Sequence, residues 1–288
     1  MSEHTETFVV GEYFLAVEGF AMIRNYLTTP SAARPRVNEI RDIVAGLDDY
    51  PYSLRIPLIE HDVEDGYAIW APRYDGPNPA VECEQPIVHR MIATLRAGVA
   101  LDAACGTGRH AAKLAELGHQ VIGVDTTDAM LSIAREKAPS ADFRLGRLEQ
   151  LPVDDETIDL ITCTLALNHV ERLEPVMREF VRVLRPGGQA ILADMHPATT
   201  MTGSIAGFPE DDVTRGIPYV RNLTHHLGDY ITAFLDVGLS IVECIEPRVT
   251  DSVLESFPSY AVLPDATRQA FLDTPYLLVW RLERPTHA

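Results

Sequence analysis

The sequence has 288 residues, of which 46% are hydrophobic and 23% charged, a balance typical of a soluble globular protein. With 24 basic and 42 acidic residues its net charge is −18, which disfavours binding to nucleic acids and to anionic membrane surfaces. The four cysteines are widely separated and fit neither a zinc site nor a disulfide framework, so no metal site is predicted. The polar, acidic first residues and the lack of a long apolar run predict a cytoplasmic protein without a membrane partner.

Two helices are predicted near the N-terminus. Apolar residues recur at helical spacing between Phe8 and Leu27, and again between Pro35 and Leu47. The apolar strip of the first helix is either part of a core or the contact surface of a homodimer. The strip consists of Val10, Phe14, Val17 and Ala21.

The segment from Pro51 to Pro86 is rich in proline and aromatic residues. We interpret residues 1–90 as a mainly helical cap or substrate lid. Residues 91–288 are then the main domain, with a lid insertion at 196–222 that is rich in glycine.

Strands and helices are predicted to alternate through the main domain, which is typical of a doubly wound, Rossmann-like α/β sheet. Strands are predicted near 99–102, 120–125, 141–145, 157–164 and 188–194, followed by 239–247 and 276–284. Helices are predicted near 86–96, 109–117, 127–137, 171–184 and 228–238.

A glycine-rich turn after the first of these strands is the strongest sign of a ligand site. Gly106 and Gly108 allow a tight turn and a close backbone approach to a ligand. Asp125 ends the next strand, where a carboxylate accepts hydrogen bonds from ribose hydroxyls. The spacing fits the dinucleotide fingerprint, but Asp102, just before the turn, would repel a pyrophosphate and attract a cationic ligand.

Three motifs in order resemble the class I S-adenosylmethionine-dependent methyltransferases, in particular small-molecule enzymes such as the ubiquinone and menaquinone methyltransferases. Asp102–Gly108 has the form D-x-x-x-G-x-G, residues 151–170 are similar to the family's fourth strand and its loop, and residues 184–194 contain its Pro-Gly-Gly turn. The resemblance covers roughly residues 65–195. It implies a seven-stranded sheet with an antiparallel last strand, S-adenosylmethionine as cofactor and S-adenosylhomocysteine as product.

The resemblance also implies roles for residues around the methionine and ribose of the cofactor. Asp102, Ala104 and Gly106 would line the methionine moiety, and Asp125 would bind the ribose hydroxyls. Ala104 stands where a glycine is usual, which is tolerable if the φ angle at this position is negative. Tyr74, in a W-x-x-x-Y-D element, would close over the carboxylate end of the cofactor.

Further residues are implied at the adenine and ammonium groups. Thr126 and Met130 would flank the adenine, which would also contact the backbone of Leu148. Arg147 stands where relatives often carry an aspartate that accepts a bond from the adenine amine, and arginine has no acceptor atom. Leu165, or its neighbour Ala166, would offer a backbone carbonyl to the ammonium group.

Two histidines are candidate general bases. His169 follows the fourth strand and His196 follows the fifth, so both are expected near the site. A histidine of ordinary pKa, about 6.5, deprotonates a phenol, carboxylic acid or amine near neutrality. The alternative is that His169 packs against, and caps, the helix that follows it.

The function predicted is methyl transfer to a small organic acceptor. One rival is a nicotinamide-dependent oxidoreductase on a similar sheet. A second is a non-methylating protein, such as a cyclase, that retains the cofactor only to shape its pocket.

Overall fold

The computed structural model describes residues 6–208 and 212–286. Its strands are β1 (Glu6–Val9), β2 (Arg55–His61), β3 (Val99–Ala103), β4 (Gln120–Asp125), β5 (Asp142–Leu145), β6 (Ile158–Thr164), β7 (Leu184–Met195), β8 (Ala206–Gly207), β9 (Ile217–Val220), β10 (Ser240–Ile245) and β11 (Leu277–Glu283). Its helices are α1 (Val10–Asn25), α2 (Ala33–Ala45), α3 (Val63–Trp70), α4 (Pro79–Ile92), α5 (Arg109–Glu116), α6 (Asp128–Lys137), α7 (Leu173–Val183), α8 (Pro197–Thr200), α9 (Leu227–Asp236), α10 (Asp251–Leu254) and α11 (Pro264–Phe271). Within these residues, none of the helices has the length and apolar character that crossing a membrane requires.

The chain divides into two compact units. The first comprises the described parts of Met1–Glu60 and Gly207–Tyr219, together with Arg248–Pro275, and the remaining described residues form the second. The boundary falls at Glu60 rather than at residue 90, because α3 and α4 belong to the unit of the large sheet. On α4, Val88 packs into the same apolar cluster as Leu160 and Ile191 of that sheet. A lid role for residues 1–90 remains a prediction.

The second unit is built on a seven-stranded sheet in the order β10-β11-β7-β6-β3-β4-β5. The pairs β3–β4, β3–β6, β4–β5 and β6–β7 are parallel, and β11 lies antiparallel between β7 and β10. Leu101 and Ala100 belong to different apolar clusters, so the central strand is buried on both faces, as its continuous apolar sequence predicts. The predicted Rossmann-like sheet with an antiparallel last strand is therefore confirmed.

The first unit combines α1, α2, α10 and α11 with a small sheet in the order β1-β2-β9-β8, which the sequence did not predict. Phe14, Val17 and Ala21 of the N-terminal strip are almost fully buried, in one cluster with Ile43 and Ala266. The structure therefore favours the core role of this strip over a homodimer contact through it. The insertion at 196–222, of which residues 209–211 lie outside the described part, contributes β8 and β9 to the small sheet. Its lid role remains a prediction.

Helices α1 and α2 bury an ion pair in the first unit. Glu18 is 0% exposed, and its Oε1 lies 3.4 Å from Nη1 of the equally buried Arg36. Burial raises the pKa of Glu18 to about 8, a hydrogen bond with Glu39 acts in the same direction, and Arg36 opposes both. The folded state therefore binds a proton in a pH range where the unfolded chain has released it.

We expect Glu18→Gln to reduce the pH dependence of stability. Between the ordinary pKa of a glutamate and about 8, the free energy of unfolding of the wild type falls as the pH rises, because only the folded state keeps this proton. The variant should gain on the order of 2–4 kcal/mol relative to the wild type between about pH 5 and about pH 9. Urea unfolding at both pH values measures this gain. Glu12→Gln, at an exposed position of the same helix, is the control, and equal pH profiles for wild type and Glu18→Gln would contradict the prediction.

Candidate active site

A cavity with about 860 Å³ of empty volume, part of it open to solvent, lies at the carboxyl ends of β3, β4 and β6. This edge of a parallel sheet is where doubly wound folds bind ligands. His169 and nine residues predicted to bind the cofactor line this cavity. The nine are Tyr74, Ala104, Gly106, Asp125, Thr126, Met130, Arg147, Leu148 and Leu165. Asp102, Gly108 and His196 are not among the lining residues.

Asp125 fixes the glycine turn. Its Oδ2 accepts a hydrogen bond from the backbone N–H of Gly106 at 2.8 Å, and its Oδ1 accepts one from that of Thr127 at 2.9 Å. Burial raises the pKa of Asp125, while these backbone donors act against the shift. The carboxylate thus joins the end of β4 to the turn after β3 and still reaches the cavity.

The turn uses three left-handed residues. Gly106 and Gly108 have φ angles of 51° and 79°, as their predicted role requires. Ala104 has a φ of 56°, so the condition under which an alanine is readily tolerated at this position is not met. The turn keeps the left-handed conformation for which glycine is usual and imposes it on an alanine, which raises the energy by about 1–2 kcal/mol.

Asp102 supports the glycine turn without lining the cavity. Asp102 Oδ2 accepts from the backbone N–H of Ala111 at 2.9 Å, and Oδ1 accepts from the Thr162 hydroxyl at 2.8 Å. Burial raises the pKa of Asp102, while its interaction with His110 is the largest influence in the opposite direction. Asp102 therefore holds the first turn of α5 to β6, so its negative charge lies beneath the glycine turn.

Tyr74 is held against the turn by its neighbour in the sequence. The carboxylate of Asp75 accepts from the Thr107 hydroxyl at 2.7 Å and from Lys137 Nζ at 2.7 Å. A Cβ built on Gly106 would lie 3.9 Å from the ring of Tyr74. The Tyr-Asp pair of the W-x-x-x-Y-D element therefore attaches the segment before α4 to the glycine turn. The sequence did not predict this role of Asp75.

Arg147 lies at the rim of the cavity and forms an ion pair with Glu64 at the start of α3. Both side chains are at least half exposed, so this pair contributes little stability. Met130 and Leu148 are buried and supply apolar surface beside it. This end of the cavity offers apolar contacts for a flat base, beside the ion pair of Arg147 and Glu64.

Arg109, at the start of α5, belongs to a buried charged group that the sequence interpretation also missed. Its guanidinium forms an ion pair with Glu84 of α4 and donates from Nη2 to the Thr164 hydroxyl at 3.0 Å. Burial alone would raise the pKa of Glu84, but bonds with His110 and Arg109 hold it below its ordinary value. The group fixes α4 and α5 at the end of β6.

His169 lies in a short 3₁₀ helix, Leu167–His169, directly after β6. Its Nδ1 is 3.0 Å from the carbonyl oxygen of Arg221, and its Nε2 is 2.8 Å from the hydroxyl of Tyr67 on α3. The backbone of this turn is supported by Asp194, whose Oδ2 accepts from the N–H of Asn168 at 3.1 Å. Burial raises the pKa of Asp194 to about 7.

His196 caps the short helix α8 and does not line the cavity. Its Nδ1 accepts from the backbone N–H of Ala198 at 3.0 Å, which caps α8, and its Nε2 lies 2.9 Å from Glu246 Oε1. Both ring nitrogens are therefore used, and the ring is buried outside the cavity lining. Among residues 6–208 and 212–286, no three histidine, cysteine or acidic side chains form a group suited to a metal ion.

Comparisons with known proteins show that the chain is similar to methyltransferases. Residues 101–192 match the family model described as a methyltransferase domain. The demethylmenaquinone methyltransferase of Chlorobaculum tepidum is 40% identical over 33% of this chain, and the ubiquinone biosynthesis O-methyltransferase of Xanthomonas oryzae pv. oryzae is 28% identical over 72% of this chain and 90% of its own length. A crystal structure of an S-adenosylmethionine-dependent methyltransferase from Mesorhizobium loti covers 70% of this chain and 98% of its own, with a TM-score of 0.53 and 22% identity.

Residues 101–192 thus carry a methyltransferase domain, and the chain shares the fold of the S-adenosylmethionine-dependent methyltransferase from Mesorhizobium loti. The chain spans 39% of the length of the Chlorobaculum enzyme and similarly limited parts of several other curated relatives.

Proposed function

We propose that the protein transfers the methyl group of S-adenosylmethionine to a small organic acceptor. The observation that carries this proposal is the position of Asp125, which is bonded to the backbone of the glycine turn and faces a cavity at the carboxyl edge of the sheet. In that place a carboxylate suits the two hydroxyls of a ribose. The acidic chain supports a small acceptor, as do relatives named demethylmenaquinone methyltransferase and ubiquinone biosynthesis O-methyltransferase.

The cavity fits a cationic nucleoside better than a dinucleotide. Glu64, Asp125 and Glu149 line it, while its lining cation, Arg147, is paired with Glu64. Asp102 adds a buried carboxylate behind the turn. A pyrophosphate would meet this negative charge without a free counterion, whereas ammonium and sulfonium groups would be attracted.

Each part of the cofactor has residues suited to it. Asp125 would accept from the ribose hydroxyls, Met130 and the Leu148 backbone would contact the adenine, and Tyr74 would cover the methionine end. Leu165 has a φ of 53° and donates its N–H to the carbonyl of Ala193 at 2.7 Å, which fixes the backbone at the end of β6. Its carbonyl is the proposed acceptor for the ammonium group.

When bound, S-adenosylmethionine supplies an electrophilic methyl group on a good leaving group. The chain's own residues therefore mainly position the acceptor and exclude water. Deprotonation is needed only where the acceptor requires it, and His169 is the predicted histidine that faces the cavity.

Isothermal titration calorimetry tests the cofactor preference directly. We expect S-adenosylhomocysteine to bind and NAD(H) to show no comparable heat, because only the former avoids placing a pyrophosphate over Asp102 and Asp125. Tight binding of NAD(H) alone would favour an oxidoreductase. If S-adenosylhomocysteine binds but no methylated product forms across a broad acceptor screen, a non-methylating protein that retains the cofactor becomes the better explanation.

A further inference from the structure

We propose that Tyr67 and His169 form a proton relay that takes the proton of a phenolic hydroxyl, so that the acceptor is a phenol methylated on oxygen. This inference rests on the proposed methyl transfer and adds to it the acceptor class and a catalytic residue, Tyr67.

The hydrogen bonds of His169 define its tautomer. A backbone carbonyl oxygen only accepts, so the contact with Arg221 at 3.0 Å places a proton on Nδ1 of His169. In the neutral ring Nε2 is then a bare acceptor, and the Tyr67 hydroxyl donates to it at 2.8 Å. Tyr67 therefore turns its proton toward His169 and leaves oxygen lone pairs for another donor.

Both residues line the cavity at the end of β6, beside Leu165. The rings of Tyr67 and His169 meet at 70° with centroids 5.5 Å apart, so the edge of one packs on the face of the other. Tyr74 lies with its ring centroid 6.0 Å from that of Tyr67. Two tyrosine rings thus provide walls for a planar acceptor close to the atoms assigned to the methionine end of the cofactor.

The surroundings keep both groups neutral at rest. Burial lowers the pKa of His169, and the hydrogen bond to Arg221 opposes this only in part. Burial raises the pKa of Tyr67 well above its ordinary value, and Tyr74, Asp194 and Asp125 act in the same direction. Tyr67 therefore does not persist as a tyrosinate, and it accepts a proton only while its own proton passes to His169.

The same surroundings select the acceptor. A histidine base of lowered pKa is closer in strength to a phenol than to the far less acidic aliphatic alcohol. A carboxylate or phosphate would enter as an anion and meet Glu64, Asp125 and Glu149. An amine attacks through its lone pair before losing a proton, so it has no need of the relay. A neutral phenol brings no negative charge to these carboxylates, and it has a proton that the relay can take.

The proposed step is balanced in protons and electrons. The acceptor O–H proton moves to the Tyr67 oxygen, and the former Tyr67 proton moves to Nε2 of His169, which becomes a cation. The acceptor oxygen uses its electron pair to form the O–CH₃ bond while the S–CH₃ bond breaks and its pair stays on sulfur. His169 then releases a proton, and the neutral relay is restored.

Matched probes test the acceptor class. The wild type is incubated with S-adenosylmethionine and catechol, aniline or thiophenol, and the products are identified by mass spectrometry. We expect O-methylated catechol only. If S-adenosylhomocysteine binds but nitrogen or sulfur is preferred, or catechol is not methylated, the relay inference fails and the proposed methyl transfer stands. If S-adenosylhomocysteine does not bind, the proposed function itself fails.

Variants test the relay. Tyr67→Phe and His169→Gln should lower kcat/KM for catechol about 10²–10³-fold at neutral pH. The deficit should shrink as the pH approaches the pKa of the acceptor, and it should be smaller with the more acidic 4-nitrocatechol. Tyr50→Phe, at an 82% exposed tyrosine, is the control. A deficit that is the same at every pH and for both acceptors would indicate a merely structural role and overturn the proposal.

A binding measurement gives a readout independent of turnover. The visible absorption of 4-nitrocatechol distinguishes phenol from phenolate, so it is titrated into protein saturated with S-adenosylhomocysteine. The bound probe should ionise at lower pH in the wild type than in Tyr67→Phe, because the relay takes its proton while the acidic lining is the same in both proteins. Ionisation at the same pH in both proteins would contradict the relay.

Discussion

Replacing Asp125 by alanine is expected to weaken the binding of S-adenosylhomocysteine by about a hundredfold or more. The change removes the acceptor of two backbone N–H groups, at 2.8 Å from Gly106 and 2.9 Å from Thr127, and the proposed acceptor of the ribose hydroxyls. Hydrogen bonds to a charged group contribute about 1.5–3 kcal/mol each, so the glycine turn loses both its fixation and its ligand contact. Calorimetric titration measures the change in Kd.

Two further variants make this result specific. Asp128→Ala removes a carboxylate three residues away, which is solvent-exposed and forms only a surface ion pair with Arg135 at 3.6 Å, and should bind as the wild type does. Asp125→Asn keeps one acceptor oxygen and should fall between the wild type and Asp125→Ala. Equal affinity of Asp125→Ala and Asp128→Ala, with both proteins folded by circular dichroism, would remove Asp125 from the cofactor site.

Gly108→Ala is expected to destabilise the protein by about 2–5 kcal/mol, through backbone strain of about 1–2 kcal/mol and overpacking of about 1–3 kcal/mol. Gly108 has a φ of 79°, and a Cβ at this position would lie 3.0 Å from Cβ and 3.1 Å from Cα of Ala134 on α6. The backbone atom cannot turn aside, so α6 must shift. Urea unfolding measures the loss.

Gly118→Ala separates the two contributions. Gly118 has a similar φ of 87°, but a Cβ there would meet only Ala97, at 3.9 Å. This variant should show the backbone strain alone, so its free energy of unfolding should fall by about 1–2 kcal/mol. If both variants lose the same free energy of unfolding, the close contact of Gly108 with α6 contributes nothing.

The alternating strands and helices of the second unit were predictable because their local sequence patterns agree with their burial. Strands buried on both faces read as continuous apolar runs, and glycine marks the turn after β3. The segment from Pro51 to Pro86 departs further from the prediction. The sequence predicts that a helix starts near residue 86, whereas Pro86 lies inside α4. That helix begins at Pro79, where Asn78 caps it by accepting from the N–H of Ala80 at 3.1 Å.

The site was predictable where a motif specifies a backbone turn and not where distant side chains meet. Asp125 ends β4, and Gly106 and Gly108 follow the end of β3. Because the carboxyl ends of these parallel strands meet at one edge of the sheet, the positions of these residues in the sequence predict that they lie close together. Tyr67 and His169 are 102 residues apart, and neither residue alone indicates the hydrogen bond between them. His196 shows the reverse case, because its position after β7 suggested the site while its hydrogen bonds direct it to α8 and Glu246.

The composition of the first unit has a consequence for synthesis on the ribosome. Arg24 of α1 donates from Nη1 to the carbonyl of Ala270 at 3.1 Å, and Tyr13 donates to Ser259, so α1 closes its core with residues 246 positions later in the chain. Until α11 has left the exit tunnel, the apolar strip of α1 lacks this partner, whereas β3 to β7 are already available to pair. The nascent chain should therefore complete its parallel strands first, and chaperones that bind apolar segments should engage α1 until α11 emerges.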